Sequence, residues 1–410
     1  MKELRLVTLI IVFVLLGSSI VSIGVSSIIW SQSYGDVGDQ SFTSMVKTLD
    51  GGFALAGQTK SFDSEDYDFW LVKTDSSGKM EWNRTYGRDL YDFVNSLIET
   101  SGGEFVLFGT SGDYYYSDFW LVKTDSYGNV KWNQTYGKIY RDYGYSVVET
   151  YDGGFVLAGY TLTDRLEDFF LIKVDGYGNM LWNKTYGGPD RDYAYSVVET
   201  SDNGFVVAGF SSYFNSDFWL VKTDFQGNME WNKTYGGEGR DRASLLIQTS
   251  DGGFVIAGQS DISDGFLLIK IDRFGNELWN NVYGKGEKEY SYAVIETSDG
   301  GFALADTSLY DPRDFSFIKT DSSGNIVWNL TYSVEDHQYI SSFIETSDNG
   351  YVFAGQTKTI NGDSDFWLVK TDSTAIPEFA SWTSISIILV VVVAVIIYRC
   401  RLPKNRGGNN

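Results

Sequence analysis

A unit of about fifty residues repeats along this chain, and a fixed period of that length demands an architecture in which neighbouring units share one continuous core. The most insistent part is Asp68–Gly87, DFWLVKTDSSGKMEWNRTYG, which returns as Asp118–Gly137, Asp168–Gly187, Asp217–Gly236, Gly265–Gly284 and Asp314–Ser333. A single residue counts the units: Trp30, Trp82, Trp132, Trp182, Trp231, Trp279 and Trp328 make seven.

Each copy reads as two β-strands and a tight turn. DFWLVKT and MEWNRTY are rich in aromatic and β-branched residues, and Asp-Ser-Ser-Gly between them is turn chemistry, with Gly78 free to take a positive φ. Phe69 and Leu71 lie on one face of DFWLVKT and Trp70 and Val72 on the other, so this strand needs cover on both sides. Two further strands, such as Tyr145–Thr150 and Gly153–Tyr160, separate one hairpin from the next. Named in chain order, the strands are A (YSVVET), B (GGFVLAG), C (DFWLVKTD) and D (MEWNRTYG). Four short strands in each of seven units predict an all-β fold, a seven-bladed β-propeller over residues 28–372.

Phase predicts how the ring closes. The repeat region opens on a lone D strand, Ile28–Gly35, and ends on a lone C strand, Asp365–Asp372, so the D strand missing from the last blade is the first strand of the chain. Such overlap removes two exposed sheet edges. It also places both chain ends, the A–B turns and the C–D turns on one face, and the longer, more variable D–A and B–C connections on the other.

Composition bounds the function. A net charge of −22 argues against nucleic-acid partners, and a single cysteine, Cys400, outside the repeats excludes disulfide scaffolds and cysteine metal sites. Residues 1–27, basic at Lys2 and Arg5 and then apolar, read as a signal peptide or signal anchor. After a linker at 373–382, residues 383–398 read as a transmembrane helix and 399–410 as a basic cytoplasmic tail. The expected location is the cell membrane, with the propeller outside, its short-turn face toward the bilayer and its long loops distal.

Thr74–Trp82, TDSSGKMEW, resembles the tryptophan-docking motif of quinoprotein-like (PQQ-like) propellers, in which an Asp, a Gly and a Trp link adjacent blades. It recurs with Asp125, Gly128 and Trp132, Asp175, Gly178 and Trp182, Asp224, Gly227 and Trp231, Asp272, Gly275 and Trp279, and Asp321, Gly324 and Trp328. This chain has one residue fewer between Asp and Gly, and seven units rather than eight. The repeat also resembles secreted or surface-anchored propeller-repeat proteins of bacteria and archaea, and Pro377-Glu378-Phe379 before an apolar run is similar to PEF-type archaeal sorting signals. The resemblance implies fold more than activity.

The distal loops supply the candidate binding residues: Asp92, Tyr115, Arg141, Asp142, Arg191, Asp192, Arg240, Asp241, Glu289 and His337. Aromatic groups give contact area and charged groups give direction, which suits recognition of a protein or glycan. Asn83, Asn133, Asn183, Asn232 and Asn329 each open an N-x-T sequon on strand D and are candidate glycan acceptors. The repeated tryptophans read as blade packing, and Lys73, Lys123, Lys173, Lys222, Lys270, Lys319 and Lys370 as surface charge pairs of small individual worth. No catalytic set, metal site or cofactor is expected, although calcium in the acidic loops stays open. The lone His337 gives little basis for a triad, the quinone enzymes' adjacent cysteines are absent, and no blade stands out among carboxylate pairs such as Asp190 and Asp192. The expected function is a binding or scaffolding module, the alternative an extracellular polysaccharide hydrolase or lyase.

Overall fold

The computed structural model describes residues 28–371 apart from short stretches at 36–37, 61–65, 89–90, 114, 139, 164–165, 213–216, 238, 261–264, 284–288, 309–314, 333–338 and 359–361. The expected signal segment at 1–27, linker, transmembrane helix and basic tail lie outside the described residues. Among the described residues no helix is long and apolar enough to cross a membrane.

Seven four-stranded antiparallel sheets form the blades of a propeller. Blade 1 runs A Gln40–Lys47, B Phe53–Thr59, C Asp68–Thr74, D Met80–Tyr86, and blades 2 to 6 repeat it over 91–136, 142–186, 192–235, 241–283 and 289–332. Blade 7 is composite. Its A, B and C strands are Tyr339–Glu345, Tyr351–Lys358 and Ser364–Thr371, and its D strand is Ile28–Tyr34 from the other end of the chain, with Tyr34 opposite Phe366 and Ile28 opposite Thr371. The closure read from phase is present.

The core is a set of apolar layers between blades rather than one central mass. The layer between blades 1 and 2 joins Ala54, Ala56, Phe69 and Leu71 to Val94, Leu97, Phe105, Leu107, Trp120 and Val122. Strands B and C are covered on both faces, as their two-sided apolar sequence requires, while D keeps an exposed face. Inner strands are also stapled across blades: the Leu97, Val147, Val197 and Leu246 amides donate to Ser44, Ser96, Ser146 and Ser196 Oγ in the preceding blade.

Strand D docks each blade onto the next. The Gly128 turn of blade 2 has φ +78°, and a Cβ placed on it would lie 2.8 Å from Trp82 Cζ3 of blade 1, so the indole sits where any side chain would stand. Beside it the Tyr86 hydroxyl donates to the Gly128 carbonyl at 2.8 Å. Tyr136, Tyr186, Tyr235 and Tyr283 repeat the bond at 2.7 Å to Gly178, Gly227, Gly275 and Gly324. Trp30 and Tyr34 dock on Gly78 in the same way, so the first strand fastens blade 7 to blade 1. The tryptophans are packing residues, and the tyrosine four positions on is their unrecognised partner.

The lysines near the end of strand C correct one expectation. Lys73, Lys173, Lys222, Lys270 and Lys319 are buried, not surface charges. Lys173 Nζ donates to Thr150 Oγ1 at 2.9 Å, Asp152 Oδ1 at 2.8 Å and the Val174 carbonyl at 3.2 Å, so one ammonium ties the A–B turn to the end of strand C. Burial pushes the Asp152 carboxyl up, but hydrogen bonds from Lys173, Thr150 and the Gly154 amide outweigh it and hold it at about 2. The K173M variant is expected to lose about 2 kcal/mol, because it strands buried acceptors. The folded pKa of Asp152 lies below its unfolded value, so its contribution is present above pH 4 and lost as pH falls through about 2. Urea titrations between pH 7 and pH 2 check both points, since K173M should lose less stability on acidification than the natural chain.

Candidate functional site

The long-loop face divides the expected binding residues into two groups. Asp92, Asp142, Asp192 and Asp241 stand at the start of strand A with 0 %, 0 %, 2 % and 1 % exposure, which corrects their reading as surface contacts. Their Oδ2 atoms accept the amides of Arg88, Lys138, Gly188 and Gly237, clamping each D–A loop from below. They are enclosed because the chain must turn tightly from D into the next blade, and a carboxylate four residues on closes that turn. Arg191 and Arg240 remain exposed, Arg141 is half-buried and Tyr115 stands out on a B–C loop. Glu289 opens the A strand of blade 6, its side chain outside the description, and His337 lies outside the described residues.

One sector differs from the rest of the ring. On the long-loop half of blades 3 and 4, Tyr143 pairs across strands with Tyr160, and Tyr193 with Phe210. The corresponding pairs elsewhere are Ser41 with Gln58, Phe93 with Thr110, Arg242 with Gln259, Tyr290 with Thr307 and Tyr339 with Gln356. Strand A carries a bulge in every blade, and the extra residue is Thr43, Asn95, Ser244 and Ser341 in blades 1, 2, 5 and 7 but a tyrosine, Tyr145, Tyr195 and Tyr292, in blades 3, 4 and 6. A bulge re-aims its side chain. In blades 3 and 4 it sends both tyrosines into one cluster, with Tyr145 and Tyr195 rings 4.6 Å apart and Tyr160 and Tyr193 rings 4.8 Å apart, both edge-on.

Charge borders this cluster. The Arg242 guanidinium of blade 5 lies 5.3 Å from the centre of the Phe210 ring, a cation–π contact. Arg191 stands 3.4 Å from Glu167, and both hydrogen-bond Tyr193. Desolvation raises the hydroxyl pKa values of Tyr145, Tyr160 and Tyr195, so these groups stay neutral donors at any physiological pH. Half-buried tyrosines rimmed by arginine and glutamate have the composition of a recognition hot spot.

Sequence reasoning missed Tyr145, Tyr160 and Tyr195. The signal was the alternation DYGYS and DYAYS at Asp142–Ser146 and Asp192–Ser196, which EYSYA at Glu289–Ala293 shares, together with an aromatic residue, Tyr160 or Phe210, at the facing position of strand B, where blade 6 has Thr307.

The short-turn face holds a second group that the sequence reading passed over. Tyr127, Tyr151, Tyr177, Phe225 and Phe274 are exposed on its turns, Tyr151 at 89 %. Tyr151, Lys173, Glu199, Asn203 and Phe225 help line a pocket of about 290 Å³ there. Among the described residues no three histidine, cysteine, aspartate or glutamate side chains converge as a metal centre. The sequon residues Asn83, Asn133, Asn183, Asn232 and Asn329 all lie exposed on outer strands. Asn83, Asn133 and Asn232 accept hydrogen bonds from the indoles of Trp70, Trp120 and Trp219, which gives the asparagine a structural partner as well.

Fold and site together define a seven-bladed β-propeller of four-stranded blades with a tyrosine-rich sector on the long-loop face of blades 3 and 4. No protein-family model matches the chain, and no curated protein matches it. Similar solved structures include YCF48 bound to D1 peptide, at 11 % identity over 85 % of this chain and 97 % of that one, with a TM-score of 0.53. BBS1N in complex with ARL6DN matches at 10 % identity over 87 % of this chain and 98 % of that one, with a TM-score of 0.50. Puromycin hydrolase matches at 10 % identity over 79 % of this chain but only 53 % of its own, with a TM-score of 0.53. At such identities the likeness shows the fold alone.

Proposed function

We propose that this propeller is a non-catalytic binding module that takes a protein partner on its distal face, centred on the tyrosine sector of blades 3 and 4. The observation that carries the reading is the bulge-directed aromatic cluster in which Tyr145 and Tyr160 of blade 3 meet Tyr195 and Tyr193 of blade 4. Protein partners suit the fold, since similar propellers are recorded with a D1 peptide and with ARL6DN. The module is displayed outside the cell on a C-terminal membrane helix. Both described chain ends sit at the short-turn face, where Ile28 pairs with Thr371, and the exposed aromatic residues on that face suit the interfacial zone of a bilayer. The polysaccharide hydrolase alternative draws on a hydrolase, puromycin hydrolase, among the similar structures, but Asp192 of its carboxylate pair is a buried loop clamp.

Reversing the charge at the rim tests the reading with little risk to the fold, because Arg242 is exposed. In a screen of the full chain against surface proteins and a glycan array, R242E is expected to weaken protein binding at least tenfold, about 1.4 kcal/mol. Unchanged binding by R242E would remove the tyrosine sector from the interface, and glycan binding alone would assign the sector to carbohydrate. Release of product from a polysaccharide would establish the hydrolase.

A further inference from the structure

We propose that calcium ions sit between paired aspartates at the distal blade junctions, most clearly between Asp217 and Asp241. This is independent of the tyrosine sector.

Where strand D ends, the Asp that opens strand C of the same blade meets the Asp that opens strand A of the next. At the junction of blades 4 and 5, a Cβ on Gly236 would lie 2.6 Å from Asp241 Oδ2 and 3.0 Å from Asp217 Oδ1, so the two carboxylates flank one point. At the junction of blades 2 and 3, the same position on Gly137 lies 1.9 Å from Asp118 Oδ1 and 2.7 Å from Asp142 Oδ2. Asp68 with Asp92, between blades 1 and 2, and Asp168 with Asp192, between blades 3 and 4, are the corresponding pairs, the charge of Asp68 raising the pKa of Asp92 and that of Asp168 the pKa of Asp192.

The carboxylates are buried there and only partly satisfied. The loop amide satisfies only Oδ2 of the strand A aspartate; Ser111 also hydrogen-bonds the Asp92 carboxylate and Thr161 that of Asp142, whereas Oδ1 of Asp241 and Oδ1 of Asp217 have no partner among the described residues. A buried hydroxyl completes the donor set there: Ser260, opposite Asp241 in register, as Ser111 is opposite Asp92 and Thr161 opposite Asp142. Two enclosed carboxylates without a positive group are costly. Arg88 acts on Asp92 and Asp118, and Lys138 on Asp142 and Asp168, whereas the charge acting on Asp217 is that of Asp241.

The closing junction shows what the pair lacks. There a Cβ on Gly35 would lie 1.9 Å from Asp365 Oδ1 and 2.8 Å from Gln40 Oε1, so an amide replaces the second carboxylate. Turned over, the Gln40 amide puts its NH₂ on Asp365 and its oxygen toward Thr59 Oγ1, 3.5 Å from its nitrogen, and the junction is neutralised without an ion. Between Asp217 and Asp241 no such donor stands among the described residues, and the charge acting on Asp217 is that of Asp241 alone. An all-oxygen set of two carboxylates and a hydroxyl, completed by carbonyls or water, suits a hard divalent cation at the weak end, on the order of 0.1–1 mM.

The test uses the full chain in detergent. Calcium at about 5 mM is expected to raise Tm by about 5 °C over EDTA, and terbium should give aromatic-sensitised emission that calcium displaces. The combined variant Asp92→Asn, Asp142→Asn, Asp192→Asn, Asp241→Asn copies the amide of the closing junction. It should have the same Tm in calcium and EDTA and no terbium signal. Asp241→Asn alone, which puts less of the fold at risk, should lower the signal by about a quarter. Equal Tm in calcium and EDTA with no displaceable terbium emission would overturn the proposal. So would a stability in EDTA that rises from pH 8 to pH 6 without any calcium response, which assigns the pair a shared proton.

Discussion

Deleting residues 28–35 is expected to abolish cooperative folding of the propeller, although no catalytic or binding residue is touched. The strand supplies the whole outer edge of blade 7, paired from Ile28–Thr371 to Tyr34–Phe366. It also carries the blade-to-blade dock: Trp30 sits over Gly78 and packs 6.2 Å from Phe53, and the Tyr34 hydroxyl donates to the Gly78 carbonyl. Trp367 Nε1 donates to Ser31 Oγ at 2.9 Å across the same pairing. The loss opens the ring at one seam and bares the edge of Ser364–Thr371, a template for intermolecular pairing. Its cost should be comparable with the whole stability of a domain, on the order of 5–15 kcal/mol. Urea unfolding should change from one sigmoid to a broad transition, and the synthetic 28–35 peptide should restore the sigmoid. An unaltered sigmoid without the peptide would show that the first strand does not close the ring.

A single methyl-bearing residue at a turn glycine is expected to have the next largest effect. Gly128→Val should cost about 3 kcal/mol, from two sources. At φ +78° a β-branched residue is strained, and its Cβ would stand 2.8 Å from both Trp82 Cζ3 and Arg84 Cγ. Moving the turn to relieve that clash stretches the bond from the Tyr86 hydroxyl to the Gly128 carbonyl. Gly153, also at positive φ but with nothing within 4 Å of a Cβ, isolates the strain, and Gly153→Val should cost about half as much. Equal losses in the two variants would mean that the docked tryptophan contributes nothing beyond turn geometry.

What the sequence made legible was what repeats. Blade number, strand order, the composite seventh blade and the docking tryptophans all follow from period, phase and turn chemistry, because each recurs often enough to exclude chance. What it concealed depends on through-space relations. Lys173 reads as a strand-end charge until the A–B turn of its own blade folds over it. Asp92 and Asp142 read as loop residues, yet the tight D–A turn places them beneath the loop. Tyr145 and Tyr195 became visible as a site only through the bulge, which no residue type on strand A announces, since Thr43, Asn95 and Ser244 occupy the same place. The repeated hairpin is scaffold, and the departures from repetition mark the candidate site.

Hydrogen exchange on the full chain, with and without the partner recovered by the binding screen, tests that division most directly. Backbone amides across Asp142–Ser146, Tyr160–Thr161 and Asp192–Ser196 should gain protection, while the Tyr127, Tyr177 and Phe274 turns should be unchanged. Protection confined to those turns, with the tyrosine sector exchanging as before, would place recognition on the opposite face and contradict the account.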